Sequence, residues 1–299
     1  MILERLRDLG IGPRALAPLH LRPEALPYRH LSLLPLSPTI GAEISGVDLR
    51  EPLDDETFSE VRRAFLDYKV IFFRDQDVTA EQHVAFARRF GELELHPFLP
   101  HAEGCPEVVV FAKDERVRGV ENIWHSDVSW REAPALGAVL RAREVPAVGG
   151  DTLFADMGAA YEGLSDELKE RIAPLRAVHD FSQTFGAFLS PDELARRRAE
   201  YPPALHPVVR THPETGQKSL YVNAIFTSHI VGLEAAESEA LLESLFRRAW
   251  VPEVQCRFRW RKNSIACWDN RAVQHYAASD YHPQRRVMER VSIIGDRPV

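Results

Sequence analysis

Cysteine is scarce in this chain of 299 residues, which has only Cys105, Cys256 and Cys267. An odd count without regular spacing argues against a disulfide framework, so free thiols in a reducing cytoplasm are expected. The sequence has no apolar run long enough to cross a bilayer. Its first residues, MILERLRDLGIGPRAL, carry too much charge for the apolar stretch of a signal peptide. It also lacks a basic run. Lys plus Arg number 37 against 44 Asp plus Glu, a net charge of −7, so neither nucleic acid nor a membrane is an expected partner. There is no internal repeat and no low-complexity tract. What is present is a 45% hydrophobic composition, enough for a large core in one big domain or two small ones.

Residues 1–35 are rich in Leu, Arg and Pro and read as an N-terminal extension, a short helix followed by an irregular arm. Residues 36–299 have the texture of a compact domain. DDETFSEVRRAFLDYK predicts an amphipathic helix with an acidic cap. Thr79 and Gln82 stand at capping-box spacing ahead of a second helix, with Gly91 as its stop. Further helices are expected near 156–173, after Ser190-Pro191, and over 237–250. VIFFR (70–74) reads as a buried strand. Other strand candidates are 108–111, 135–142, 152–154, 264–268, 286–295 and VQCRFRW (254–260), whose apolar residues alternate strictly. Many short strands with helices between them predict a β-rich α+β fold, a sandwich or jelly roll with helical insertions.

The sharpest local feature is WHSDVSW (124–130). If it is extended, His125, Asp127 and Ser129 share one face, and Trp124, Val128 and Trp130 the other. His-x-Asp can supply two corners of a metal site, and His275 in WDNRAVQHYA is the best third. Two His and one carboxylate suit non-haem iron(II), with positions left open for a chelating cosubstrate and dioxygen. The same set suits catalytic zinc in a hydrolase, and a His-x-Asp pair alone is commonly a surface hydrogen bond. Strand parity in QRRVMERVS puts Arg286, Met288, Arg290 and Ser292 on one face, eleven residues beyond His275 for Arg286. An arginine fork matches the distal carboxylate of 2-oxoglutarate, a partner that a zinc hydrolase does not need. Val287, Val291 and Ile293 require the opposite face to be covered. His101, His179, His206, His212 and His229 are read as turn or surface histidines. Asp269 and Asn270 are read as support for the loop that carries His275, and Tyr276 as pocket or core.

From about Leu36 onward the chain resembles the taurine dioxygenase family of iron(II)- and 2-oxoglutarate-dependent oxygenases. The resemblance rests on TIGAEISGVDL, VIFFRDQ, HPFLPHAEG, WHSDVSW, GGDTLF, LHPVVRTHPETG, WDNRAVQHYAASDY and QRRVMERVSIIGDRP, in that order. It implies a double-stranded β-helix, or jelly roll, with helical insertions. It implies His125, Asp127 and His275 as iron ligands, and Thr152 with Arg286 on the distal carboxylate of 2-oxoglutarate. His96, Thr184 and Arg290 would fall on the substrate side. It further implies a small anionic organic substrate, dioxygen as co-reactant, and a homo-oligomer, dimer or tetramer.

The chain departs from the family pattern in four places. Leu99 stands where taurine dioxygenase has Tyr. Glu121 stands at the position of an Asn, with Asn122 one residue off. Phe154 replaces the Trp that usually follows GGDTL, and Glu289 interrupts the usual Met-His-Arg and is expected to face outward. FADM after GGDTL is also similar to the aryloxyalkanoate dioxygenases of the wider superfamily. The expected substrate is therefore a sulfonate, bulkier or less aminated than taurine, whose hydroxylation releases sulfite and an aldehyde. A sulfate ester and an aryloxyalkanoate or other carboxylate are the alternatives with the same chemistry. From other classes stand a zinc hydrolase and a non-catalytic jelly-roll binding protein.

Overall fold

The computed structural model describes Leu19 and residues 26–299. The helix expected at the start of the chain lies outside the described residues. No helix among them is long and apolar enough to cross a membrane.

Two sheets face each other as the halves of a jelly roll. The major sheet has eight strands. They are β1 (Ser32–Pro35), β2 (Ala42–Ser45), β3 (Val70–Phe73), β4 (His101–Ala102), β5 (Cys105–Lys113), β6 (Ala135–Glu144), β14 (Ile265–Asp269) and β16 (Arg286–Ile294), in the order β1-β2-β3-β14-β6-β16-β5-β4. β1 precedes Leu36, so the sheet begins inside the stretch read as an extension. The minor sheet is β13-β7-β15, made of β7 (Thr152–Asp156), β13 (Gln255–Phe258) and β15 (Val273–Ala277). A three-stranded sheet, β12-β8-β9, lies apart and contains β8 (Arg176–His179), β9 (Ala204–Pro207) and β12 (Thr227–Ile230). β10 (Val209–Thr211) and β11 (Lys218–Leu220) pair as a short ribbon.

Period-2 alternation decides what each strand buries. In β3, Val70 and Phe72 point between the two sheets, while Ile71 and Phe73 join the core on the other face. In β14, Ala266 and Trp268 point inward, and Ile265 and Cys267 outward. The outward face of the major sheet is covered by α1 (Asp55–Tyr68) and α2 (Ala80–Arg88), through Phe58, Val61, Phe65, Val84 and Phe86. Asp54 caps α1 through the Thr57 N–H, and Thr79 with Gln82 forms the full capping box of α2. α2 ends at Arg88, ahead of Gly91. The segment expected as one helix near 156–173 is two, α3 (Met157–Glu162) and α4 (Asp166–Ile172), because Ser165 caps a fresh start at Leu168 N–H. α5 (Pro191–Glu200) carries the expected Ser190 cap, and α6 (Ala235–Phe246) tightens to a 3-10 turn through Trp250. α3, α4 and α6 pack with Ala155, Ala177 and Val254 as the outer layer over the minor sheet.

The core between the sheets is aromatic. Phe72 stacks on Phe258 at 3.9 Å with 9° between the rings, and Phe154 tilts against both Phe72 and Trp268. Phe72 is fully buried. Truncating Phe72 to Ala should cost about 3–5 kcal/mol, the range for a large aromatic core deletion. Urea unfolding should show this as a lower midpoint at unchanged slope.

Candidate active site

The site forms where the loop of residues 122–131 joins the free side of β15. His125 N–H donates to the His275 carbonyl at 3.1 Å, and His275 N–H returns a bond to the His125 carbonyl at 2.8 Å. This single antiparallel bridge places the two imidazoles side by side, with ring centroids 4.2 Å apart. Beyond the bridge the chain turns, so WHSDVSW is not one extended run: residues 127–130 are a turn. Ser129 therefore leaves the face it was expected to share with His125 and Asp127, and bonds His179 and Asn223 instead. Val128 takes a left-handed φ of 45°. A β-branched residue pays of order 1–3 kcal/mol to sit there and does so only where its surroundings force it.

Asn270 holds the Asp127 backbone on both sides. Its Oδ1 accepts from Asp127 N–H at 2.7 Å, and its Nδ2 donates to the Asp127 carbonyl at 2.9 Å and to Ala135 O at 3.1 Å. Ser126 Oγ donates to Val273 O at 3.0 Å. The expected support role of Asn270 thus acts on the Asp127 loop. Asp269 instead braces the turn into β15 through Arg271 Nη2 at 2.7 Å and His212 Nε2 at 2.9 Å.

One ligand atom each from His125, Asp127 and His275 lies within 4.8 Å of the others. His125 Nδ1 contacts Ile123 O at 2.8 Å, which fixes the tautomer and leaves Nε2 facing Asp127 Oδ1 at 3.8 Å. Asp127 Oδ2 and His275 Nδ1 are buried without a hydrogen-bond partner. Burial alone would raise the Asp127 carboxyl, but the adjacent charge of Arg290 above all brings it down to about 2. Burial pushes His275 down to about 3 and also lowers His125. A buried carboxylate and two neutral imidazoles with unsatisfied atoms are a donor set for a divalent cation.

A cavity of about 430 Å³ opens over these residues. His96, Leu99, Thr152, Thr184, Arg286 and Arg290 all line it together with the three possible ligands. Arg286 is buried, its Nε and Nη2 have no partner, and its guanidinium lies 5.7 Å from the Tyr281 ring centroid. Thr152 Oγ1 accepts from Trp260 Nε1 at 2.9 Å, so its own proton is left to donate into the cavity. Gly150, at φ 72°, lets the chain pass Arg286: an added Cβ would meet its Cδ at 3.2 Å. Arg290 Nη1 donates to Asp127 Oδ1 at 2.7 Å, while its buried Nε has no partner. His96 Nδ1 accepts from Phe98 N–H at 3.2 Å, which puts the imidazole proton on Nε2. Burial and nearby Arg290 push His96 down to about 3, so it is a neutral donor.

Glu121 and Met288, both singled out in the sequence, line the cavity too, but most of the remaining lining was not picked out from the sequence. Phe111, Phe185, Phe188, Ile225 and Phe226 make an apolar wall, and Trp268 contributes a buried indole N–H without a partner. These residues lie in separate segments that only the fold brings together. Lys113 and Glu121 line the cavity as an ion pair at 2.7 Å. Glu289 faces away from the cavity, toward Arg143 at 3.3 Å and Arg141 at 3.7 Å. Tyr276 packs on Trp124, outside this cavity. His179, His206 and His212 are buried, contrary to the surface reading, because each finds a polar partner in the interior. His101 and His229 are exposed as expected.

The family model described as "Taurine catabolism dioxygenase TauD, TfdA family" matches residues 32–292. The chain belongs to that family. Two curated relatives are each 36% identical. One, an alpha-ketoglutarate-dependent sulfate ester dioxygenase of Pseudomonas putida, is matched over 90% of this chain and 91% of that protein. The other, an (S)-phenoxypropionate/alpha-ketoglutarate-dioxygenase of Sphingobium herbicidovorans, is matched over 88% and 95%. The crystal structure of a taurine dioxygenase from Burkholderia xenovorans superposes with a TM-score of 0.79 at 39% identity, over 91% of this chain and 93% of that one. The chain is thus a 2-oxoglutarate-dependent dioxygenase on a jelly-roll core, and the hydrolase and binding-protein alternatives give way.

Several histidines of this dioxygenase are buried in the neutral form. His83 and His206 are pushed down to about 4, His96 and His275 to about 3, and His179 well below the ordinary value, each chiefly by burial. Their folded values lie below that of an unfolded histidine, about 6.5. Below pH 6.5 the unfolded chain takes up protons that the fold refuses, so stability falls as pH falls. The slope approaches roughly 1.4 kcal/mol per pH unit for each such histidine. Urea midpoints of the metal-free protein should drop steadily from pH 7.5 to 5.5. A flat profile would show that these imidazoles charge inside the fold.

Proposed function

We propose that this dioxygenase uses iron(II), held by His125, Asp127 and His275, to hydroxylate a small organic anion that carries a sulfonate or sulfate ester. The observation that carries the reading is a single cavity. A carboxylate and two neutral imidazoles converge at its floor, and two buried arginines line it with unpartnered donors. Bound iron(II) supplies the coupling of 2-oxoglutarate decarboxylation, to succinate and carbon dioxide, with oxygen transfer to substrate carbon.

The protein's own share is positioning. Arg286 Nε and Nη2, with the Thr152 hydroxyl, suit the distal carboxylate of 2-oxoglutarate and hold its keto-acid end toward the metal. His96 Nε2–H and the free Nε of Arg290 suit the oxyanion of the substrate, while the Thr184 hydroxyl lines the same cavity but donates to Ile225 O at 3.3 Å. Arg290 also touches Asp127, so an anion held there lies beside a metal ligand and its neighbouring C–H bond is brought to the centre. The aromatic and aliphatic wall of Phe98, Leu99, Phe185 and Ile225 favours an apolar substrate body and excludes water. The relative named for sulfate esters supports the sulfate form of the anion. The chain is further proposed to carry an N-terminal extension ahead of the catalytic domain, which takes in β1 (Ser32–Pro35) as well as residues 36–299, and to work as a cytoplasmic homo-oligomer.

Purified enzyme with iron(II), 2-oxoglutarate and oxygen should form succinate in step with sulfite from alkyl sulfonates, or with sulfate from alkyl sulfates. Turnover of phenoxy acids alone, read as phenol release, would contradict the organosulfur reading. Arg286→Leu should raise the KM for 2-oxoglutarate about 10–100-fold, the worth of a charged hydrogen-bonded contact, and change the KM for the substrate little.

A further inference from the structure

A second polar cluster follows Asp127 in the chain, formed by residues that do not line the cavity. It is built on the small β12-β8-β9 sheet and centres on Ser129, which is fully buried. Asn223 Nδ2 donates to Ser129 Oγ at 2.9 Å, and His179 Nδ1 sits 3.0 Å from the same oxygen. Thr227 Oγ1 lies 3.4 Å from His179 Nε2 and accepts from Asn223 N–H at 2.9 Å. These contacts assign one direction of donation: Asn223 to Ser129, Ser129 O–H to His179 Nδ1, and His179 Nε2–H to Thr227. The Ser129 carbonyl accepts from His206 Nε2 at 2.9 Å. Asn223 Oδ1 is occupied by the N–H groups of Ile225 and Phe226, so the cluster is tied to the cavity wall as well.

Left-handed Val128 is thereby caught between two fixed points. Asn270 grips the Asp127 backbone before it, and His179 with Asn223 grips Ser129 after it. Arg131 N–H closes the turn onto Val128 O at 3.0 Å. Val128 left to itself would return to negative φ, which would swing Asp127 relative to the His125–His275 bridge.

We propose that Ser129, His179 and Asn223 are positioning residues for the metal: their hydrogen bonds enforce the strained Val128 turn that aims the Asp127 carboxylate between His125 and His275. This rests on the reading of those three residues as metal ligands. None of the positioning residues lines the cavity: Ser129 and His179 act through the Val128 turn and Asp127, while Asn223 also holds Ile225 and Phe226 of the wall.

The test is anaerobic titration of the metal-free full chain with Co(II), read as its visible absorption, beside the thermal unfolding midpoint without metal. Wild type should bind and His275→Ala should not. If wild type fails to bind, the ligand assignment falls and this inference with it. Given wild-type binding, Ser129→Ala should weaken Co(II) affinity about 10-fold or more, as loss of a group that orients a ligand does. Adding Val128→Gly should restore most of that loss, because glycine is at ease at positive φ and keeps the turn without the clamp. His179→Asn, whose amide can occupy the Nδ1 position, should bind better than His179→Gln, whose amide matches Nε2. A merely structural cluster predicts a lower unfolding midpoint with unchanged Co(II) affinity in Ser129→Ala, or no recovery in the Val128→Gly double variant. Either result overturns the proposal.

Discussion

Two backbone hydrogen bonds between His125 and His275 carry the architecture of this site. They attach an irregular loop to the free side of the minor sheet, and the pairing fixes both imidazoles on one side of it. Everything else is arranged around that bridge. Asn270, at the end of a major-sheet strand, reaches across to hold Asp127. β7 brings Thr152 alongside, two residues from Phe154, which is in register with His275. β16 closes the cavity from the opposite sheet with Arg286 and Arg290. The proposed ligands, cosubstrate contacts and substrate contacts thus come from different layers, and sheet-on-sheet packing sets the distances between them.

Charge burial is the second constraint. Two arginines and an aspartate lie in a low-dielectric interior, where a buried charge is costly unless it is paired. Asp127 and Arg290 compensate each other at 2.7 Å. The buried Nε and Nη2 of Arg286 have no anion to match. Unpaired buried donors are costly, and they are held by a tightly packed scaffold rather than by local pairing. A binding site for a dianion has this form: the protein carries the cost in the free state, and the ligand removes it.

Strands and helices were readable where one signal dominated. Strict alternation in β16 predicted that Arg286, Met288 and Arg290 share a face, and they do, because Val291 and Ile293 are drawn to the helix-covered core. The capping residues Asp54, Thr79 and Ser190 announced their helices. WHSDVSW misled because alternation cannot reveal a turn at a β-branched residue; tertiary hydrogen bonds to Ser129 override the local preference of Val128. The buried histidines were missed for a related reason. A histidine is at home in the interior when partners from distant strands satisfy its nitrogens, and nothing local to residues 179, 206 or 212 announces those partners. The apolar wall was only partly legible, because it is assembled from loops whose meeting depends on the whole fold.

The central claim is that His125, Asp127 and His275 together present a ferrous ion to a chelating keto acid. Anaerobic visible spectroscopy tests it most directly. Iron(II) and 2-oxoglutarate added together should give a charge-transfer band that neither gives alone, and His275→Ala should lack it. A wild-type protein that gives no band, or a His275→Ala protein that keeps it at full strength, would contradict the account.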